Sequence, residues 1–470
     1  MPELEPRMGA FSAVIWDIEG DPILRSPITL VCMLDSAPDV DVVIDRLERM
    51  TRMNPKLRAR VIGNPVSLVP PRWEVDPNFD MSFHVRWERP ERARADLSDV
   101  LTMAERITEE DFDRSRPLWE LHIVTGLKGK QAAFIMKVHH SITDGEGGVL
   151  MLAMLFEMQR TPATDLGPMP AAPTGAVLDQ AQRLEQGSVA GAKAFLADAK
   201  NITAGSVGLV KDAVTAPMSS AVTAKNWTAS AARLLAPASE PLSDLWTGRS
   251  MSVSFAVLEA SLADVKAAAK AVKATLNDVF MAAVVGGLSR YHREHGSKST
   301  ALRVNMPVSM RAQAGSGDGN SWVPARFEIP IGEATAEDRI TELHPLLLQA
   351  RTEPALGMSS AVYRALSLLP NPAMAAASSG LMKGTDFAAT NVPGPPIPLY
   401  FAGTQVLSMV PFAPKGGASV NIGLMSYDGK VFIGINTDPG AVADPYQLVD
   451  DLYDSLQEVL AIGDSDATDQ

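Results

Sequence analysis

The stretch Val138-His139-His140-Ser141-Ile142-Thr143-Asp144-Gly145 decides how this chain is read. It closes an apolar run, residues 132–138, in which Phe134, Met136, Val138 and His140 fall on one face and Ile135, Lys137 and His139 on the other. A strand requires that alternation, and it assigns His140 to the apolar face. Gly145, Gly147 and Gly148 then permit a tight turn, and the Leu- and Met-rich residues 149–158 read as a buried helix. The motif therefore sits on a strand, a turn and a helix, within an α/β alternation.

An imidazole accepts protons near neutral pH, and it does so usefully only when one tautomer is held in one orientation. An Asp four residues after His140 can supply that hold. Three other readings compete. The histidines could be core residues satisfied by backbone; His139, His140 and Asp144 could be metal ligands; Asp144-Gly145 could be turn chemistry alone. The metal reading has little to build on, because the chain has only seven His and one Cys and no further cluster completes a ligand set.

On these residues the chain resembles the bacterial wax ester synthase/diacylglycerol acyltransferases of the mycobacterial type. The block His139-His140-x-x-x-Asp144-Gly145 matches that family's catalytic motif, which is shared more widely by coenzyme A-dependent acyltransferases and peptide-synthetase condensation domains. Ser115-Arg116-Pro117-Leu118-Trp119-Glu120 looks like its Pro-Leu-Trp block. Asn277-Asp278, Asn305-Met306-Pro307-Val308-Ser309-Met310-Arg311 and Thr390-Asn391-Val392-Pro393-Gly394-Pro395 look like its later blocks. The likeness runs from about Phe11 to the last helix, and Phe11 to Glu19 departs from the pattern of many members.

The resemblance implies two chloramphenicol-acetyltransferase-like α/β domains, each a mixed sheet flanked by helices, with an active-site channel at their interface. It implies acyl transfer from acyl-CoA to diacylglycerol or a long-chain alcohol, giving triacylglycerol or wax ester, with acyl-CoA as co-substrate and no cofactor or metal. His140, neutral at pH 7, would take the hydroxyl proton during attack on the thioester and return it to the leaving thiolate, without an acyl-enzyme. His139 would support His140, Asp144 would shape the loop, and Gly145 would keep the acyl channel open. Related condensation domains pair this Asp with an Arg, which points to Arg58. Trp119, Asn277, Asp278 and Asn391 would contact substrate, and Pro117, Pro393 and Gly394 would support the channel. Two alternatives keep the same His140 and Asp144: an enzyme that takes its acyl group from a carrier protein, and a catalytically weak lipid-surface paralogue.

Some of these blocks also have a structural reading. Thr275-Leu276-Asn277-Asp278 is a capping box. Pro117-Leu118-Trp119 could be a turn into a buried strand, and Asn391 to Pro395 reads as a rigid irregular loop. Gly315-Ser316-Gly317-Asp318-Gly319 lacks the Lys-Ser/Thr ending of a phosphate loop and reads as surface.

Composition agrees with a globular enzyme: 470 residues, 46% hydrophobic and 21% charged, a length that calls for two domains. A net charge of −13 argues against nucleic acid and against anionic lipid surfaces, and it obliges any coenzyme A site to be a local basic patch. Cys32 has no partner for a disulfide, no signal-peptide core follows Met1, and no run of apolar residues is long enough to span a bilayer. These features point to the cytoplasm, with any membrane or lipid-droplet contact peripheral; the apolar stretches 189–235 and 355–382 read as packed helices.

The expected organisation is a first domain over residues 8–185, an Ala-rich crossover over 186–240, a second domain over 241–462 and a disordered tail over 463–470. The first has strands near 28–34, 83–87, 121–125 and 132–138; the second has strands near 251–258, 302–307, 325–331, 406–410, 419–425 and 430–436.

Overall fold

A computed structural model describes residues 4–63, 70–143, 145–175, 240–309, 322–352 and 382–468. The chain opens with α1 (Ala10–Ile18), β1 (Pro27–Leu34) and α2 (Val40–Met53), followed by the hairpin β2 (Ala59–Ile62) and β3 (Arg72–Val75). Next come α3 (Met81–His84), β4 (Val85–Glu88), α4 (Leu97–Glu109), β5 (Trp119–Val124), β6 (Ala132–His139), α5 (Gly145–Leu152) and β7 (Phe156–Glu157). The later part holds β8 (Ser254–Ser261), α6 (Leu262–Ala271), α7 (Leu276–Glu294), β9 (Ala301–Ser309), β10 (Trp322–Pro330) and α8 (Ala336–Arg351). It ends with β11 (Phe387–Val392), β12 (Tyr400–Phe401), β13 (Thr404–Phe412), β14 (Val420–Tyr427), β15 (Lys430–Thr437) and α9 (Pro445–Thr468).

Two mixed sheets result. The first runs β4-β5-β6-β1-β13-β12-β7 and the second β10-β9-β11-β14-β15-β8. Each has its own core: Trp119, Phe134 and Phe412 are fully buried in one, and Phe280, Phe387 and Tyr291 in the other. Pairs β4–β5, β9–β11 and β11–β14 are parallel and the rest antiparallel, as in an α/β architecture of two sheet-and-helix halves.

The crossing of the halves corrects one expectation. The strand near 406–410, assigned from sequence to the second sheet, pairs instead with β1 from Thr29↔Phe412 to Leu34↔Val406. Val406, Met409, Val410 and Phe412 are all buried; a strand buried on both faces carries no alternation to say which sheet it joins. β13 thereby lies over the second sheet at Gly434, where an added Cβ would sit 2.0 Å from the Pro411 carbonyl oxygen. Only glycine permits that approach.

Four smaller corrections follow. The helix expected over 149–158 is α5, which ends at Leu152, and Phe156 and Glu157 pair with Phe401 and Tyr400 instead. The strand expected near 83–87 begins as a helical turn capped by Asp80. Asn391 and Val392 belong to β11, so the irregular loop starts only at Pro393. The tail is helical through Thr468, continuing from Leu456, Val459 and Ile462, all buried against the second core. The capping box is formed as read: Thr275 and Asp278 bond each other reciprocally at the start of α7. Residues 176–239, which hold the end of the expected first domain and all of the crossover but residue 240, lie outside the described residues, as do the loop 315–319 and residues 355–381. Among the described residues no single helix is long and apolar enough to cross a membrane; α6 and α7 qualify only together, across a 95° bend, and both pack into the second core.

Candidate active site

Because β6 alternates, its last residue and the one after it point in opposite directions. Met136, Val138 and His140 face a cavity of about 450 Å³ between the two sheets, together with Ile28 and Leu30 of β1. Helices α1 and α5 close it from the first half; Met306 and Asn391 represent the second. Among the described residues the lining is mainly apolar, with hydroxyl and amide side chains, Lys415, Arg351 and the His140 imidazole. The His140 backbone N–H donates to the Ser26 carbonyl at 3.0 Å, which registers this residue against the start of β1.

His139 faces away and is 1% exposed. Its Nδ1 accepts the Ser141 backbone N–H at 3.1 Å, so in the neutral ring the proton resides on Nε2, 2.9 Å from Glu19 Oε1. Trp16 and Phe112 meet the ring edge-on. Glu19 also accepts the Ser26 backbone N–H at 2.7 Å and Arg114 Nη2 at 2.7 Å. Burial pushes its carboxyl up, but His139 beside it, the Ser26 N–H and Arg114 together bring it below the usual glutamate value. Glu19 thus grips Ser26, the residue whose carbonyl holds His140. The sequence reading missed it; the available signal was a single carboxylate directly after the apolar helix α1, inside the divergent N-terminal block.

The other predicted residues are distributed unevenly. Asn277 and Asn391 line the cavity with His140. Asp278 does not: it caps α7 and contacts His344 Nδ1 at 2.9 Å. Trp119 is fully buried in the first core, its Nε1 donating to the Leu57 carbonyl at 2.8 Å and its ring stacked 4.6 Å from His84. Its block acts on the strand, since Trp119 N–H bonds the Pro117 carbonyl and the Leu118 carbonyl accepts the His139 N–H at 3.0 Å. Pro393 is exposed, and Gly394 packs where an added Cβ would lie 2.0 Å from the Ser426 oxygen.

Asp144 lies outside the described residues; Gly145 is the first residue of α5. Arg58, its expected partner, donates from Nε to Thr51 Oγ1 at 3.0 Å and from Nη2 to Glu48 at 2.5 Å, and lies over the Phe79 ring at 4.4 Å. Cys32 is buried in β1, and burial raises its thiol well above the usual range, so it is no nucleophile. Of the cationic side chains on the described lining, Lys415 is held by Asp438 and the Ser250 and Ser252 carbonyls, while Arg351 is exposed at the rim.

Residues 26–280 match the wax ester synthase/diacylglycerol acyltransferase catalytic domain, and residues 319–460 its C-terminal domain. A candidate diacylglycerol O-acyltransferase of Mycobacterium tuberculosis is 30% identical over 98% of this chain and 93% of its own length. A second protein of that organism, tgs1, described as a probable diacylglycerol O-acyltransferase, is 26% identical over 91% and 89%. Among solved structures, the wax ester synthase/diacylglycerol acyltransferase of Marinobacter aquaeolei VT8 superposes with a TM-score of 0.60 at 19% identity, covering 97% of this chain and 99% of that one. The first condensation domain of the calcium-dependent antibiotic synthetase gives 0.61 at 15% identity, covering 97% and 96%, and shares the fold.

Proposed function

The chain belongs to the wax ester synthase/diacylglycerol acyltransferase family and is an acyltransferase of triacylglycerol and wax ester synthesis; from that premise we propose that it transfers the acyl group of an acyl-CoA directly to a hydroxyl, with His140 as the base. The observation that carries this reading is one imidazole in an apolar cavity between two sheets, registered through its own backbone N–H.

In the proposed reaction the alcohol oxygen attacks the thioester carbonyl carbon while His140 removes the hydroxyl proton. The tetrahedral adduct collapses, the carbon–sulfur bond breaks, and the proton passes from His140 to the departing thiolate. The cavity's apolar walls exclude water, which would otherwise compete as acceptor. His139 does not exchange protons with substrate; held between Ser141 and Glu19, it fixes the strand end from which His140 projects. Since the acceptor and product are lipids, the protein would work in peripheral contact with a membrane or lipid droplet.

The test is purified protein with palmitoyl-CoA and a panel of dioleoylglycerol and hexadecanol. Ester should form in step with free coenzyme A; thiol release without ester, or no reaction with any member of the panel, contradicts the reading.

A further inference from the structure

Asn421 interrupts the apolar strand β14, and the second sheet's register places it in a row. Asn305 of β9 is opposite Ala388 of β11, Ala388 is opposite Asn421, and Asn421 is opposite Asn436 of β15. Residues so paired share one sheet face, with neighbouring strands about 4.8 Å apart. Asn305, Ala388 and Asn421 all line the cavity that His140 lines. The orientation of the Asn421 amide is decided by chemistry: its Nδ2 donates to the Pro414 carbonyl at 2.7 Å, as that of Asn436 does to the Ala413 carbonyl at 2.9 Å. A carbonyl takes only the NH₂ end, so Oδ1 must point the other way.

Among the described residues those oxygens find no donor. Asn421, 6% exposed, carries a buried Oδ1 with no hydrogen-bond partner among the described residues, as do Asn305 and Asn436, and of the three Asn421 and Asn305 line the cavity. A buried acceptor left unmade is costly, which is the signature of a site that a ligand completes. The ligand must bring N–H or O–H groups into a mainly apolar cavity, past the small side chain of Ala388. An alkyl chain or a glyceryl ester carries none, and the acceptor's reacting hydroxyl is committed to His140. A thioester donor does carry them, because the pantetheine arm that bears its sulfur contains two secondary amides.

We propose that Asn421, with Asn305 beside it, binds the amide N–H of the donor's pantetheine arm and so assigns this wall of the cavity to the thioester. The assignment rests on the thioester-dependent reading above. Pro414, which fixes Asn421, follows two residues after Phe412, the partner of Thr29 in β1, and β1 is the strand that registers His140. The thioester carbonyl reacts at His140 and Asn421 lines the same cavity, so the contact is assigned to the amide nearest the sulfur. Coenzyme A and an acyl carrier protein present the same arm.

The experiment compares two short donors on the full protein with hexadecanol as acceptor: S-palmitoyl-N-acetylcysteamine, and its ketone isostere in which a methylene replaces the N–H. The native protein should favour the amide by about tenfold in kcat/KM, the usual worth of one buried hydrogen bond. In Asn421→Leu that ratio should fall towards one. Because both donors are read on the same preparation, partial misfolding cancels, and Asn305→Leu provides a second variant that leaves the Pro414 bond intact. Palmitoyl-CoA and palmitoyl-carrier protein are then compared; whichever is the faster donor, Asn421→Leu should slow it about tenfold. Equal use of the two short donors by the native protein, or a ratio that survives both substitutions, overturns the assignment while leaving acyl transfer standing. Transfer from neither thioester overturns the functional reading and this assignment with it.

Discussion

Two adjacent histidines enter opposite environments because successive strand residues face opposite ways: His140 joins Met136 and Val138 on the cavity, and His139 joins Trp16, Phe112 and Glu19 behind it. This much was legible in residues 132–140, since period-two alternation needs only local sequence. Glu19 was not, because its partners Ser26, Arg114 and His139 come together only when β1 and β6 pair. Glu19 also gives the site a pH dependence. Its carboxyl is held below its ordinary value of 4.5, so its contribution is present above that pH and is lost as pH falls through the lowered value. Glu19→Gln should therefore lower stability at pH 7 by about 1–3 kcal/mol, with the difference from the native protein shrinking as melting is followed down to pH 3. It should also slow turnover several-fold by loosening Ser26, whose carbonyl holds the His140 N–H. A constant melting-temperature difference from pH 7 to pH 3 would show that the Glu19 charge is not what matters.

At the level of elements, β13 does what no local pattern announces. Its residues Val406, Met409, Val410 and Phe412 identify a buried strand, but the choice between sheets is made by Gly434 and Gly423, which leave the Pro411 carbonyl room to cross. Gly434→Ala should force that carbonyl away from β15 and lower stability by about 1–3 kcal/mol, and it should reduce turnover beyond what the stability loss explains, because residues 413–416 after the crossing line the cavity. Full activity in a folded Gly434→Ala protein would show that the crossing does not set the cavity wall. The hairpin between β14 and β15, by contrast, needs only its own turn residues: Asp428 and Gly429 both take positive φ, 44° and 76°, as an Asp-Gly two-residue turn demands. The capping box at Thr275 and Asp278 was equally readable, and it explains why Asp278 is absent from the cavity while its neighbour Asn277 is present.

Over the whole molecule, the two halves are joined by polar bonds as well as by the crossing. The Tyr427 hydroxyl, at the end of β14, donates to the Val406 carbonyl at 2.9 Å and accepts the Leu399 N–H at 2.8 Å, tying the second sheet to β13 of the first; burial pushes its phenol up to about 12. Tyr427→Phe leaves that N–H buried and unpaired, and should cost about 1–3 kcal/mol in denaturant unfolding at neutral pH; an unchanged midpoint would remove the bridge from the account. The two-sheet architecture, and a channel between its halves with Asn277 and Asn391 in it, could be anticipated from the short family blocks, whereas Ile28 and Asn421 could not, since they carry no motif and reach the cavity only through the pairing of distant strands. In the proposed reaction His140, and not its neighbour, handles the proton. That assignment is tested most directly by kcat/KM with palmitoyl-CoA and hexadecanol for His140→Ala and His139→Ala, each checked for native melting. A loss of roughly two to four orders of magnitude is expected for His140→Ala and a much smaller loss for His139→Ala; equal and small losses in both would show that His140 is not the base.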